Sequence, residues 1–228
     1  MASTQSAFFL DSEGDAWYKR NKASSPDSID VWQNNDLLLE MILNLPLAEG
    51  PQTKILEIGC GHGNRLDYIK RHKNWSVVGL DPSKQAIKSL NERGIDGIIG
   101  TAESLEFDNH TFDLIVYGFC LCWVDRTDLF SLIAEANRVT KPKAWIAIYD
   151  FWNPNQISNE YHHKEGIKTY KTRPEQMFSW HPSYLVTDHK LKICSDSNTF
   201  EKPDNWTAVT TLRKDDTFIE TFSTSQFQ

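Results

Sequence analysis

In the stretch KILEIGCGHGNRL, Lys54 to Leu66, three glycines follow an acid at alternate positions: Glu57, Gly59, Gly61 and Gly63. Glycine interrupts a buried strand only at a cost in entropy and packing, so three together point to a sharp turn or to backbone that must lie close to a bound group. A strand that ends in such a turn and runs on into a helix presents unpaired N–H groups, and in an open α/β sheet ligands sit at the carboxyl ends of the strands. A dinucleotide fingerprint would place its glycines at 59, 61 and 64, but residue 64 is Asn and the third glycine arrives one position early. That spacing speaks against a pyrophosphate seat and so against a dehydrogenase. Glu57 points the same way, because a carboxylate before the turn repels phosphates and favours a cationic ligand. Asp81 closes WSVVGLD twenty residues after Gly61, where a carboxylate can accept both hydroxyls of a ribose or cap a helix beginning at PSKQ.

Other groups capable of chemistry are fewer. His162 and His163 adjoin in EYHHKEG, with an unperturbed pKa suited to a general base. A metal role would need further ligands, and only Glu160 and Glu165 are close by, so no metal site is expected. Cys60, Cys120, Cys122 and Cys194 are scattered, and the Cys120–Cys122 spacing suits neither a zinc knuckle nor a redox pair, so they read as buried thiols.

These residues need elements to position them. The chain has 228 residues, 39% of them hydrophobic, enough for one sizeable core and a single domain. Its formal charge is -7 and no dense basic block is present, which argues against nucleic acid. No apolar leader or membrane-length run is visible, and the expectation is a soluble, cytoplasmic protein. NNDLLLEMILNLPL reads as a helix beside the core. From KILEIG onward, strand and helix signals alternate through WSVVGLD, SKQAIKSLNERG, GIIG, FDLIVYGF, TDLFSLIAEANRVT and AWIAIYDF. Apolar strands separated by helices of roughly ten to fifteen residues indicate a parallel sheet covered on both faces, a doubly wound α/β layer. After Phe151 the regularity stops, and the polar, aromatic stretch from Trp152 to Pro182 reads as a binding insertion before strands return at SYLVTDHKLKIC and NWTAVTTLRK.

A ribose-binding acid together with a preference for a cationic group suggests S-adenosyl-L-methionine (SAM). On Glu57, Gly59, Gly61 and Gly63 the chain resembles the class I SAM-dependent methyltransferases, whose first motif is E/D-x-G-x-G-x-G. The resemblance extends from Ile55 to Ile148. It implies a Rossmann-like, seven-stranded, mostly parallel sheet and a cofactor set that also includes Cys60, Asp81 and Pro82, with Ala102 and Glu103 of GTAESLEF at the adenine and Phe119 at the methionine side. RVTKPKAWIAIYD matches the passage into the fifth strand but has Lys143 and Ala144 where a glycine pair is usual. Residues 1–34 are expected to form an N-terminal cover in which Trp17, Arg20 and Asn21 of GDAWYKRNK close the site and meet the methionine carboxylate. The core then spans 35–151, the substrate insertion 152–183 and the C-terminal strands 184–228. The insertion resembles, less specifically, methyltransferases of bacterial surface-glycan or secondary-metabolite clusters. The acceptor is thus expected to be a small molecule, a sugar hydroxyl on an aromatic floor of Trp152, Tyr161, Tyr170, Phe178 and Trp180, with His162 or His163 as base. A planar natural product, or a SAM-binding protein without turnover, stands as the alternative.

Overall fold

The computed structural model describes residues 3–22, 36–192 and 206–217. Cys194, the KASSPDSID link beyond Lys22 and the sequence after Thr217 lie outside them. The centre is a seven-stranded sheet built from β1 (Lys54–Ile58), β2 (Ser76–Asp81), β3 (Asp96–Ile99), β4 (Phe112–Gly118), β5 (Thr140–Phe151), β8 (Tyr184–Lys192) and β9 (Thr207–Lys214) in the order β3-β2-β1-β4-β5-β9-β8. The first five are parallel, and β9 runs antiparallel to both β5 and β8. Strand order reverses between β1 and β4, so a crevice opens at their carboxyl ends. This is the doubly wound layer that the alternating signals imply, with the seven mostly parallel strands that the resemblance implies.

The central strands are apolar on both faces because both are covered. One face of the sheet packs Ile55, Leu114 and Val116 beneath α3 (Leu37–Leu43), α4 (Asn64–Lys73) and α5 (Lys84–Glu92). The other packs Leu56, Ile115 and Tyr117 against α6 (Leu129–Val139) and α7 (Gln176–Ser179). Local sequence fixes the helix starts. Asp36 accepts from the N–H groups of Leu38 and Leu39 at 2.9 and 3.0 Å to cap α3, and Ser83 accepts from Ala86 N–H at 3.0 Å to cap α5.

Two regions depart from the sequence reading. The insertion is not loop throughout: β6 (Ile157–Glu160) and β7 (Lys168–Lys171) pair antiparallel as a separate hairpin. Ahead of the core, α1 (Thr4–Phe8), a π-helical turn (Phe9–Glu13) and α2 (Gly14–Lys22) form one helical segment, starting earlier than the GDAWYKRNK stretch. No helix among the described residues is long and apolar enough to cross a membrane.

Candidate functional site

The carboxyl ends of β1, β2 and β4 open on one cleft, walled by Trp17, Ile58, Leu80, Ala102 and Phe119. Its floor is the turn after β1. Gly59, Gly61 and Gly63 have φ of 70°, 51° and 66°, backbone that favours glycine. They differ in what surrounds them. A Cβ on Gly59 would stand 2.5 Å from that of Cys120, whereas one on Gly61 would meet nothing within 4 Å among the described residues. Gly59 is thus needed where the turn packs on the end of β4, and Gly61 leaves bare backbone facing open space.

Asp81 ties this turn to α5. Its Oδ2 accepts from Gly61 N–H at 2.9 Å and its Oδ1 from Ser83 N–H at 2.8 Å. Burial pushes the carboxyl up to about 6, against the pull of those two N–H groups. Asp81 and Pro82 line the cleft, as do Ala102 and Glu103 beyond β3, where Thr101 Oγ1 donates to Glu103 Oε1 at 2.8 Å. Phe119 lines it after β4 with φ of 63°. A bulky side chain in left-handed backbone is held there by its surroundings: its N–H donates to Tyr149 O at 2.7 Å and its ring lies 4.7 Å from that of Phe151.

Glu57 does not line the cleft. It is buried in an ion pair with Arg65, which also donates to Asp36 Oδ2 through Nη2 at 2.8 Å and Nε at 3.0 Å. The free carboxylate charge expected in front of the turn is therefore countered by a guanidinium from α4. Burial nevertheless lifts the Glu57 carboxyl to about 7, and its Oε2 is buried without a hydrogen-bond partner among the described residues. Gly118 closes over the pair, since a Cβ there would lie 2.7 Å from Arg65 Nη1. Cys60, Gly61 and Gly63 shape the turn without lining the cleft.

The N-terminal segment lies across the cleft and is fastened at both sides. Toward the cofactor loops, Asp15 Oδ1 accepts from Ser83 Oγ at 2.7 Å and Gln85 N–H at 2.9 Å. Tyr18 stacks on His62 of the glycine turn at 4.5 Å. Gly14 permits this docking, because its Cβ would fall 2.9 Å from Ser83 N. Toward the hairpin, Gln5 Nε2 donates to Lys168 O at 2.9 Å and Gln5 Oε1 accepts from Lys168 N–H at 3.1 Å. Tyr161 OH donates to Glu13 Oε1 at 2.5 Å and accepts from Arg20 Nη2 at 2.7 Å. Phe9, Tyr161 and Ile167 form a small buried cluster with Trp123 alongside.

Of the cover residues expected at the cofactor, Trp17 lines the cleft. Arg20 is taken up by Glu13 and Tyr161, and the Asn21 amide donates to Trp17 O at 2.9 Å. His162 and His163 are exposed on the hairpin turn and line no part of the cleft. The expected aromatic floor is dispersed. Phe178 is core beside Tyr117, Trp180 is 67% exposed, Tyr170 lies under Arg126, and Trp152 stacks on Trp206. Sequence reasoning missed Gln5, Ser6, Phe9, Glu13, Asp15 and Tyr18. A signal existed for the first of these, a helix start at Ser3, which accepts from Ser6 N–H at 3.1 Å, just before AFFL. Among the described residues no group of three or more His, Cys, Asp or Glu side chains is placed to hold a metal ion.

Comparison with known proteins agrees with this architecture. Residues 56–148 match the family described as "Methyltransferase domain". A phthiotriol/phenolphthiotriol dimycocerosates methyltransferase of Mycobacterium leprae is 32% identical over 112 residues, 46% of this chain and 40% of that protein. An uncharacterized methyltransferase of Synechocystis is 32% identical over 111 residues, 48% of this chain and 52% of that protein. The matched stretch thus spans about half the length of these relatives or less. In fold, the chain is similar to the 1,6-didemethyltoxoflavin-N1-methyltransferase of Burkholderia thailandensis, solved with 1,6-didemethyltoxoflavin and S-adenosylhomocysteine. The TM-score is 0.66 at 16% identity, over 95% of this chain and 92% of that one.

Proposed function

We propose that this chain, a class I SAM-dependent methyltransferase by its domain and fold, transfers a methyl group from SAM to a small-molecule acceptor in the cleft above β1 and β4. The observation that carries the reading is the joint of Gly61 and Asp81. A bare, open backbone position is held by a buried carboxylate that itself lines the cleft, with the spacing of a ribose-binding acid and without a pyrophosphate loop. The cleft fits SAM in other respects. Trp17, Ala102 and Phe119 offer apolar walls, and Glu103 brings a second carboxylate to the side of the cleft that Asp81 lines.

SAM supplies a methyl group already activated by its sulfonium charge. What is left to the protein is to hold the acceptor atom in line and to keep water out. The cover supports both roles, since it joins the cofactor loops to the hairpin through Asp15 on one side and Gln5 and Glu13 on the other. For the acceptor, the insertion's resemblance favours a sugar hydroxyl, but its aromatics share no wall. The rings that do line the cleft, Phe9, Phe119 and Trp123, favour a flat acceptor.

The test is calorimetry with SAM, S-adenosylhomocysteine (SAH) and NAD, followed by SAH release with a panel of sugars and planar phenols. SAM and SAH are expected to bind and NAD is not. Asp81→Ala is expected to weaken SAM by roughly 1–3 kcal/mol, the scale of lost hydrogen bonds to a charged partner. Tight NAD binding, or unchanged SAM affinity in Asp81→Ala, would overturn the assignment. SAM binding with no release of SAH on any acceptor would favour a binding protein.

A further inference from the structure

The cleft is chemically lopsided. Its β2–β3 side carries Asp81, Thr101 and Glu103, whereas its β4 side is walled by Phe9, Phe119, Trp123 and Val124. One residue with a hydroxyl lines the apolar side, Ser6, brought there by α1. Ser6 is 8% exposed, and its Oγ donates to Asp128 Oδ2 at 3.3 Å. Asp128 is itself 7% exposed and stands at the N-cap of α6, where the helix terminus stabilises an anion. A serine hydroxyl has one proton. With that proton directed at a carboxylate, only the oxygen lone pairs face the cleft, so a group meeting Ser6 there must be a donor. A hydroxyl acceptor for methyl transfer is such a donor until it reacts, and it needs somewhere to send its proton. The exposed histidines of the hairpin turn do not meet that need.

Resting on the methyltransferase reading, we propose that Ser6 receives the O–H of a flat aromatic hydroxyl acceptor and relays its proton to Asp128. In the step the acceptor oxygen forms its new bond to the methyl carbon while the carbon–sulfur pair stays on sulfur and neutralises the sulfonium. The acceptor proton moves to Ser6 Oγ as the Ser6 proton moves to the Asp128 carboxylate. The yield is an aryl methyl ether, SAH and a protonated Asp128, which later returns its proton to water. The apolar walls fit the ring, and Ser6 supplies the hydroxyl anchor on that side.

Two measurements on the full chain test this. By calorimetry on the SAH-loaded protein, 4-methylphenol is expected to bind roughly tenfold tighter than 4-fluorotoluene, which has the same shape and no donor. In Ser6→Ala the two are expected to bind alike. By SAH release, Ser6→Ala and Asp128→Asn are expected to lower kcat roughly 10²-fold or more with 4-methylphenol, but less than about threefold with 4-nitrophenol, already ionised near neutral pH. Both variants should keep SAH affinity, which shows that they fold and that the cofactor side is intact. Equal losses on both phenols, or a donor preference that survives in Ser6→Ala, would overturn the relay. No binding of either phenol to a wild type that binds SAH would overturn the flat-hydroxyl class while leaving the methyltransferase reading standing. A wild type that does not bind SAH would sink that reading itself.

Discussion

Replacing Asp15 by Ala tests whether the N-terminal segment is a cover with its own opening equilibrium. In the structure, one Asp15 oxygen takes both Ser83 Oγ–H at 2.7 Å and Gln85 N–H at 2.9 Å, at the N-terminus of α5. A hydrogen bond to a charged group contributes about 1.5–3 kcal/mol, and a partly exposed carboxylate that can turn to water instead sits at or below the low end. The variant should therefore lose about 1–2 kcal/mol of docking, which raises the open population roughly 5- to 30-fold. Amide exchange reads this directly. Residues 3–22 should exchange faster by that factor, and amides of β4 that open only with the whole fold should rise by no more than the same factor and stay far slower, since the docking is lost in that opening too. Unchanged exchange in residues 3–22 would refute the reasoning, and so would residues 3–22 exchanging as slowly as β4 in the wild type, which would leave the segment no opening of its own. The pH dependence follows from sign. Burial works against the Asp15 charge, but the Gln85 N–H and Ser83 O–H outweigh it and hold the carboxyl below its usual 3.8. A carboxylate lowered on folding contributes fully above its unfolded pKa and ceases to as pH falls through the folded value. The difference between wild type and variant should thus hold steady above about pH 5 and close only below the unfolded value.

Arg65→Met leaves Glu57 and Asp36 buried without their cation and is expected to cost about 3–5 kcal/mol in urea unfolding. Because the Glu57 carboxyl is raised on folding, to about 7 even with Arg65 present, its protonated form relieves the variant at low pH. The loss should be small below the unfolded carboxylate pKa and full once pH passes the folded one, and a pH-independent loss would contradict this account. His162→Ala and His163→Ala are each expected to change kcat less than about threefold, given their exposure on the hairpin turn. A loss of roughly 10²-fold or more in just one of them would restore the general-base role.

What could be read from the sequence was local. The turn glycines, the strand that Asp81 closes and the alternation of apolar strands with helices each lie within one short window, and each has a physical signature there. Asp81 was legible as a strand-closing acid at the cleft, but the cap of α5 that the sequence offered it falls to Ser83, and Asp81 instead accepts from Gly61 N–H and Ser83 N–H to hold the turn. The Glu57–Arg65–Asp36 network was not, because its members come from β1, α4 and the start of α3 and meet only once the sheet is wound. The hairpin escaped notice because ISNE and KTYK are polar strands that cover no deep core and carry no alternating apolar pattern. Ser6 and Asp128 lie 122 positions apart, and nothing in either neighbourhood announces the other.

The strand order has a consequence for synthesis. β9, the last described strand, is threaded between β5 and β8, pairing Trp145 through Phe151 on one side and Tyr184 through Lys192 on the other. A nascent chain that has emerged only as far as β8 therefore carries two unfilled edges, and β5, the more apolar, offers a row of unpaired backbone donors and acceptors. Such edges recruit other growing chains. Polysomes translating this message are exposed to that hazard until Lys214 clears the exit tunnel, so demand for chaperones that shield open β edges should fall abruptly when β9 slots in.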